Sequence, residues 1–425
     1  MCLRVFRAMH IIHIIQHVAL FYPSSNTMTI ATPELYNHKA IPQPWRETPL
    51  VQSAALSRLA GCRIFLKLDN LQPSGSFKSR GIGNLVRRSI QRSPPNAPLH
   101  FYSSSGGNAG LACVTAASSL GYPSTVVVPM TTTPMMISKL FTAGASKVIQ
   151  EGASLYQADA YLKEHILPQD QWGVYIPPFD HEDIWQGAES VAEEVVRQMG
   201  GERPDGIVCS VGGGGLMIGI CQGLEKVGGA KREGAVNGKG GEEVYQTEVI
   251  AVETLGADSL NQAIKAQQLI TLPSITSIAT SLGCARVASR ALDIALGLSP
   301  SLPPPISLPP SPLPSPSSSP AETSSSLPDP TITSDKSRIP MKNSKVVPTL
   351  VTDKEAIQAC VQFLDDERIL VEPACGATLA LVYTGRLREV MKGRLTEDSK
   401  VVLVVCGGSN ISLEVLQRYK MEYGL

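Results

Sequence analysis

Two stretches of this chain share one construction: a short apolar run ends in small residues and opens at once into a helix-like pattern. One is "LHFYSSSGGNAGLACVTAASSLGYP" from Leu99, and the other is "GIVCSVGGGGLMIGICQGLEKVG" from Gly206. "TVVVPM", "VIAVET" and "VVLVVCGGSN" supply further nearly uninterrupted apolar runs. Half-exposed antiparallel strands would alternate, so the pattern predicts parallel strands covered by helices on both faces. The expected class is α/β, and 425 residues at 43% hydrophobic content can bury at least one large core, in two or three domain-sized units.

Three segments break the pattern. "MCLRVFRAMHIIHIIQHVALFYPSS" is basic and apolar, with no acidic residue before Glu34. It reads equally as a targeting segment, mitochondrial import included, or as an extension ahead of a second start at Met28, so residues 1–27 are set apart. His13, Gln16 and His17 interrupt its apolar stretch, which is short for a membrane span. Residues 228–246, "GGAKREGAVNGKGGEEVYQ", read as a loop insertion. Residues 298–345 read as a disordered Pro/Ser-rich insertion, because proline removes donors and serine brings no apolar surface to offset ordering entropy.

Lys plus Arg and Asp plus Glu balance at 37 each, which leaves no long-range field to draw nucleic acid or an anionic membrane. A small-molecule ligand is the expected partner. Nine cysteines without a CxxC pair argue against a disulfide framework and a structural zinc site, and favour a reducing compartment such as the cytoplasm.

Two segments carry chemistry. "VGGGGL", Val211 to Leu216, follows the strand "GIVCS" and precedes a helical pattern. Glycine lets backbone N–H groups approach a phosphate and the helix N-terminus adds partial positive charge, so the run reads as an anion site or as a plain tight turn. It matches neither the dinucleotide fingerprint nor the nucleotide-triphosphate loop. "PSGSFKSRG", Pro73 to Gly81, sets Lys78 among serines, glycines and Phe77 with no acidic partner in the run. Burying an ammonium costs several kcal/mol unless it is neutralised, and a lysine forced neutral is a nucleophile towards carbonyl groups.

"SGSFKSRG", "SSSGGNAG", "VGGGGL", "AVETLGADS", "VEPACGATLALVY" and "VVCGGSNIS" occur in this order. Together they resemble the serine/threonine dehydratases of the fold type II pyridoxal-phosphate enzymes, from about Met28 to the C-terminus apart from the two insertions. The resemblance implies that Lys78 attaches pyridoxal phosphate and then removes the α-proton of the substrate. It implies that Phe77 packs on the cofactor ring, that Gly212, Gly213, Gly214 and Gly215 cradle the phosphate, and that Leu216 opens the following helix. Asn108 would meet the ring hydroxyl, while Ser105 and Gly106 would receive the substrate carboxylate. Asn and Ser are also favoured as plain helix caps, and Gly106 departs from relatives that carry alanine there.

Cys406, a strand-end cysteine that is by itself most simply an inert small hydrophobe, would by resemblance face the pyridine nitrogen. A thiol, unlike an aspartate, has no hold on a protonated pyridine, which favours prompt loss of a β-leaving group over transamination. Glu253, Ala257, Ser259, Leu282 and Cys284 would surround a monovalent cation such as K+, a set of oxygen ligands suited to a hard ion; without the resemblance they read as a strand end and a turn.

The implied architecture is two open parallel-sheet α/β domains: a small one at 71–175, a large one at 28–70 and 176–425, and the cofactor in the cleft between them. The expected activity is that of a lyase converting L-serine, and also L-threonine, to the 2-oxoacid and ammonia, as a homodimer. The rivals are a serine racemase or β-replacement enzyme of the same fold, and a catalytically silent amino-acid sensor.

Overall fold

The computed structural model describes residues 41–228, 246–299, 339–340 and 344–425. The extension at 1–27 and most of the two insertions lie outside the described residues. One sheet has six strands: β1 (Leu50–Gln52), β2 (Arg63–Lys67), β7 (Gly206–Ser210), β8 (Thr247–Thr254), β11 (Ser344–Val351) and β12 (Lys400–Val404). The other has four: β3 (His100–Ser103), β4 (Ser124–Val128), β5 (Lys147–Gln150) and β6 (Gly173–Tyr175).

Spatial order is β1-β2-β12-β7-β8-β11 in the first sheet and β5-β4-β3-β6 in the second. Strands β4, β7 and β8 are buried at every residue, which is why their sequences run apolar without alternation. One pairing departs from the parallel expectation. β1 runs antiparallel to β2, because only residues 53–62 connect them and a parallel crossover needs a dozen residues or more.

The described ends of the Pro/Ser-rich stretch are paired. Leu298–Ser299 (β9) pairs antiparallel with Ile339–Pro340 (β10), and Ser344 and Lys345 already pair with Thr247 and Glu248 of β8. Pro348 sits within β11, an edge strand, where its missing N–H leaves no ladder bond broken on the open side.

Six helices position the site: α1 (Lys78–Arg92), α2 (Asn108–Ser119), α3 (Glu182–Gln198), α4 (Gly215–Lys226), α5 (Ser259–Ala266) and α6 (Pro373–Tyr383). Helices α1 and α3 cross at glycines. A Cβ on Gly187 would lie 2.4 Å from Arg80 O, and one on Gly81 would lie 2.7 Å from Ile184 O, so neither position has room for a side chain. Around this crossing Ile82, Leu85, Val86 and Ile184 form a buried core with the face of the four-stranded sheet. A larger core fills the space between the six-stranded sheet and its helices.

Beside the crossing lies a buried charge cluster. Arg80 is fully buried, with Nε 2.7 Å from Asp69 and Nη1 2.6 Å from Glu194, and the buried Lys67 amine is 2.7 Å from Glu194. Thr48 and Ser190 hydroxyls complete the guanidinium's hydrogen bonds. Two cations and two carboxylates balance, which is the condition under which buried charge is tolerated. The cluster ties the first turn of α1 to α3 and to the end of β2. Glu194→Ala, which leaves the buried Lys67 without its carboxylate and Arg80 with Asp69 alone, is expected to cost about 3–5 kcal/mol; the urea midpoint measures it, and a change within error would show that the cluster does not hold α1.

Candidate active site

The turn before Lys78 is fastened to the end of β12. Phe77 N donates to Cys406 O at 3.1 Å, Gly408 N donates to Gly75 O at 3.0 Å, and Ser76 bridges Gly407. Gly75 and Gly407 hold φ of +77° and +78°, and a Cβ on Gly407 would lie 2.3 Å from Gly75 O. The two loops therefore meet backbone to backbone, and Lys78 emerges as the first residue of α1.

The Lys78 side chain is half-buried and has no acid beside it. Nζ donates to Pro178 O at 2.6 Å and lies 5.2 Å from the centre of the Phe77 ring, and among the described residues no carboxylate pairs with it. Burial alone pulls the amine down to about 8 from its ordinary 10.5, with the Cys284 and Cys406 thiols acting weakly the other way.

The glycine run forms the turn from β7 into α4. Phe77, Lys78, Ile184, Phe179, Gly215 and Leu216 line one small, mainly apolar cavity, so the end of the glycine run and Lys78, far apart in sequence, are neighbours in space. The structure assigns part of the glycine requirement to packing. A Cβ on Gly213 would lie 2.2 Å from the Phe179 ring, and Gly214, at φ +92°, faces Ala291. Gly212 lies against Leu282. The first helical bond of α4 runs from Ile218 N to Gly214 O, so the N–H groups of Gly215, Leu216 and Met217 have no partner in the helix, the usual state of a helix start that holds an anion.

On the other side stands the loop after β3. Gly107 N donates to Ser105 Oγ at 3.3 Å, and a Cβ on Gly106 would lie 2.9 Å from Thr132, so alanine at 106 would displace that side chain. Asn108 opens α2 and is buried. Its Nδ2 donates to Glu372 Oε1 at 2.7 Å and reaches Ser281 Oγ at 3.3 Å, while its Oδ1 accepts from Ser409 N at 2.9 Å. Glu372 Oε2 accepts from Asn410 N at 3.2 Å, and burial raises the carboxyl above its ordinary range.

Glu372 had no assigned role in the sequence, and neither had Pro178 nor Phe179. A Glu-Pro pair at a helix start reads as an ordinary N-terminus, and a carbonyl acceptor leaves no trace in side-chain composition. "VEPACGATLALVY" was the available signal for Glu372.

Cys406 follows β12, with Sγ 3.5 Å from Ser210 Oγ. A hydrogen bond with Cys375 and burial raise its thiol well above the ordinary value, so it is neutral. Glu253 serves the start of α5: Oε1 accepts from Leu260 N, and Oε2 from Asn261 N and Nδ2. Burial pushes this carboxyl up to about 7. Ala257 N bonds to Thr254 O, and Leu282 O accepts from Cys284 N at 2.7 Å. The Ser259 hydroxyl is buried with no partner. Cys284 Sγ donates to Arg286 O.

A family model described as pyridoxal-phosphate dependent enzyme matches residues 41–299. L-serine dehydratase/L-threonine deaminase of Bos taurus is 38% identical over 382 residues, covering 89% of this chain and 96% of that protein. This chain belongs to the pyridoxal-phosphate dependent enzyme family. L-serine dehydratase of Saccharomyces cerevisiae is 34% identical over 384 residues, covering 88% of the chain and 96% of that protein. The crystal structure of a fungal L-serine ammonia-lyase from Rhizomucor miehei superposes with a TM-score of 0.70 at 29% identity, covering 89% of this chain and 99% of that one. Maize serine racemase superposes at 0.64 with 20% identity, over 89% and 93% of the two chains, a likeness of fold alone.

The residues fit the family's cofactor. An amine without an acid suits an aldehyde, and the N–H groups left open at the neighbouring helix start suit a phosphate. Because the neutral amine is the reactive form, capture of pyridoxal phosphate by cofactor-free protein is expected to slow about tenfold per pH unit below 8 and level off above it. Stopped-flow absorbance measures this; a midpoint near 10 would mean a solvated amine.

Proposed function

We propose that this pyridoxal-phosphate dependent enzyme deaminates L-serine to pyruvate and ammonia by α,β-elimination of water, and L-threonine to 2-oxobutanoate. The observation that carries the reading is the acid-free Lys78 at the start of α1, packed beside the start of α4 at Gly215 and Leu216. The dehydratase names of relatives matched over nearly the whole of their length support the reaction class.

Bound pyridoxal phosphate supplies the electron-withdrawing ring that acidifies the α-proton. Lys78 would hold the cofactor by its amine and, once displaced by the substrate's amino group, would take that proton, desolvation favouring the neutral amine that does so. The N–H groups of Gly215 and Leu216, with the glycines of 212–214, receive the phosphate. Phe77, beside the amine, closes one wall against water. Ser105, Gly106 and the start of α2 at Asn108 receive the substrate carboxylate. Cys406, as a neutral thiol, would leave a pyridine nitrogen facing it unprotonated, which would favour loss of the β-hydroxyl over transamination.

A monovalent cation such as K+ at Glu253, with Ser259 and the carbonyls of Ala257, Leu282 and Cys284, belongs to the same proposal. It is supported by a buried carboxylate with no Lys or Arg partner among the described residues, beside an orphan buried hydroxyl. A homodimer working in the cytoplasm completes the reading; the eight cysteines among the described residues are all free, as a reducing setting requires.

Purified protein loaded with the cofactor is expected to form pyruvate and ammonia from L-serine with little D-serine, and to lose turnover when potassium is replaced by lithium. D-serine as the main product would favour the racemase, and a spectral change without any product would favour the sensor.

A further inference from the structure

Glu372 is a buried carboxylate in the middle of the site, and both its oxygens face fixed donors. Oε1 accepts a hydrogen bond from Asn108 Nδ2 at 2.7 Å, Oε2 accepts from Asn410 N at 3.2 Å, and the Ser281 hydroxyl adds a further hydrogen bond. It is 3% exposed, and a Cβ on Gly408 would lie 2.0 Å from its Cδ, so it is boxed in beneath the loop that follows β12. A carboxylate only accepts, and a main-chain N–H only donates. Asn108 is held the same way at its other end, where Oδ1 accepts from Ser409 N at 2.9 Å. The amide therefore has one permitted orientation. Its oxygen is committed to the main chain, and the hydrogen left after Glu372 is satisfied belongs to Nδ2, whose remaining neighbour is Ser281 Oγ at a long 3.3 Å.

We propose that Glu372 is a positioning residue that locks the Asn108 amide so that it offers a donor, and never an acceptor, to an anionic oxygen in the site. Resting on the function proposed above, that oxygen is the ring hydroxyl of pyridoxal phosphate in its ionised form. Glutamine at 372 cannot do the same work: whichever way it turns, its NH2 faces either Asn410 N–H or Asn108 NH2, and the second conflict turns Asn108 over at the expense of Ser409 N.

The test compares two cofactors in binding. Cofactor-free native protein and E372Q are titrated with pyridoxal phosphate and with its 3-deoxy analogue, which lacks the ring hydroxyl, and circular dichroism checks the fold. E372Q is expected to bind pyridoxal phosphate about tenfold more weakly and to bind the analogue as native protein does. An equal loss for both cofactors, or no loss for either, overturns the proposal, because a merely structural role is blind to the ring hydroxyl. Native protein that takes up neither cofactor overturns the functional reading itself and this inference with it. Should E372Q fail to fold, E372D, which withdraws the carboxylate from Asn108 by one methylene, carries the same comparison with the same outcomes.

Discussion

A lysine amine partly withdrawn from water, with a carbonyl oxygen and no carboxylate as its partner, is the constraint on which the site turns. Desolvation works against the ammonium, and the Pro178 carbonyl returns one hydrogen bond where a carboxylate would return a charge. The protein builds a good deal around keeping that amine in place. Backbone bonds from Phe77 and Gly408 fasten its turn to the end of β12, and two residues further on Arg80 drives the start of α1 into a balanced buried cluster. A loosely held lysine would turn out to solvent and regain its charge.

Both sheets contribute through the ends of their strands. The β7 end supplies the glycine turn and the start of α4, the β12 end supplies Cys406 and the loop over Glu372, and the β3 end supplies Ser105 to Asn108. In open parallel sheets the carboxyl ends of strands are where loops are free to vary while the strands hold still, which is why ligand sites gather there. Asn108 and Glu372 join across this arrangement, one from the start of α2 and one from the residue before α6.

Much of this was legible beforehand, for identifiable reasons. Continuous apolar strands followed by small residues and helical patterns announced buried parallel sheets, and Lys78 and the glycine run stood out because neither suits a core. The order of six motifs carried the family. What escaped was relational. Glu372 acquires meaning only beside Asn108, 264 positions away. Arg80 and Glu194 are unremarkable charges until they are buried together. Gly213 looked like a residue spared for a phosphate, yet the ring of Phe179 lies where its Cβ would be. The antiparallel β1 followed from a connection too short for a crossover, a limit of chain geometry that three residues cannot advertise.

The most direct measurement is chemical. Protein loaded with pyridoxal phosphate is reduced with borohydride, digested, and the modified peptide is located by mass spectrometry. A single label on Lys78 is the expected result. Label on Lys67, Lys139 or another lysine, or no label in protein that has taken up the cofactor, would contradict the assignment of Lys78.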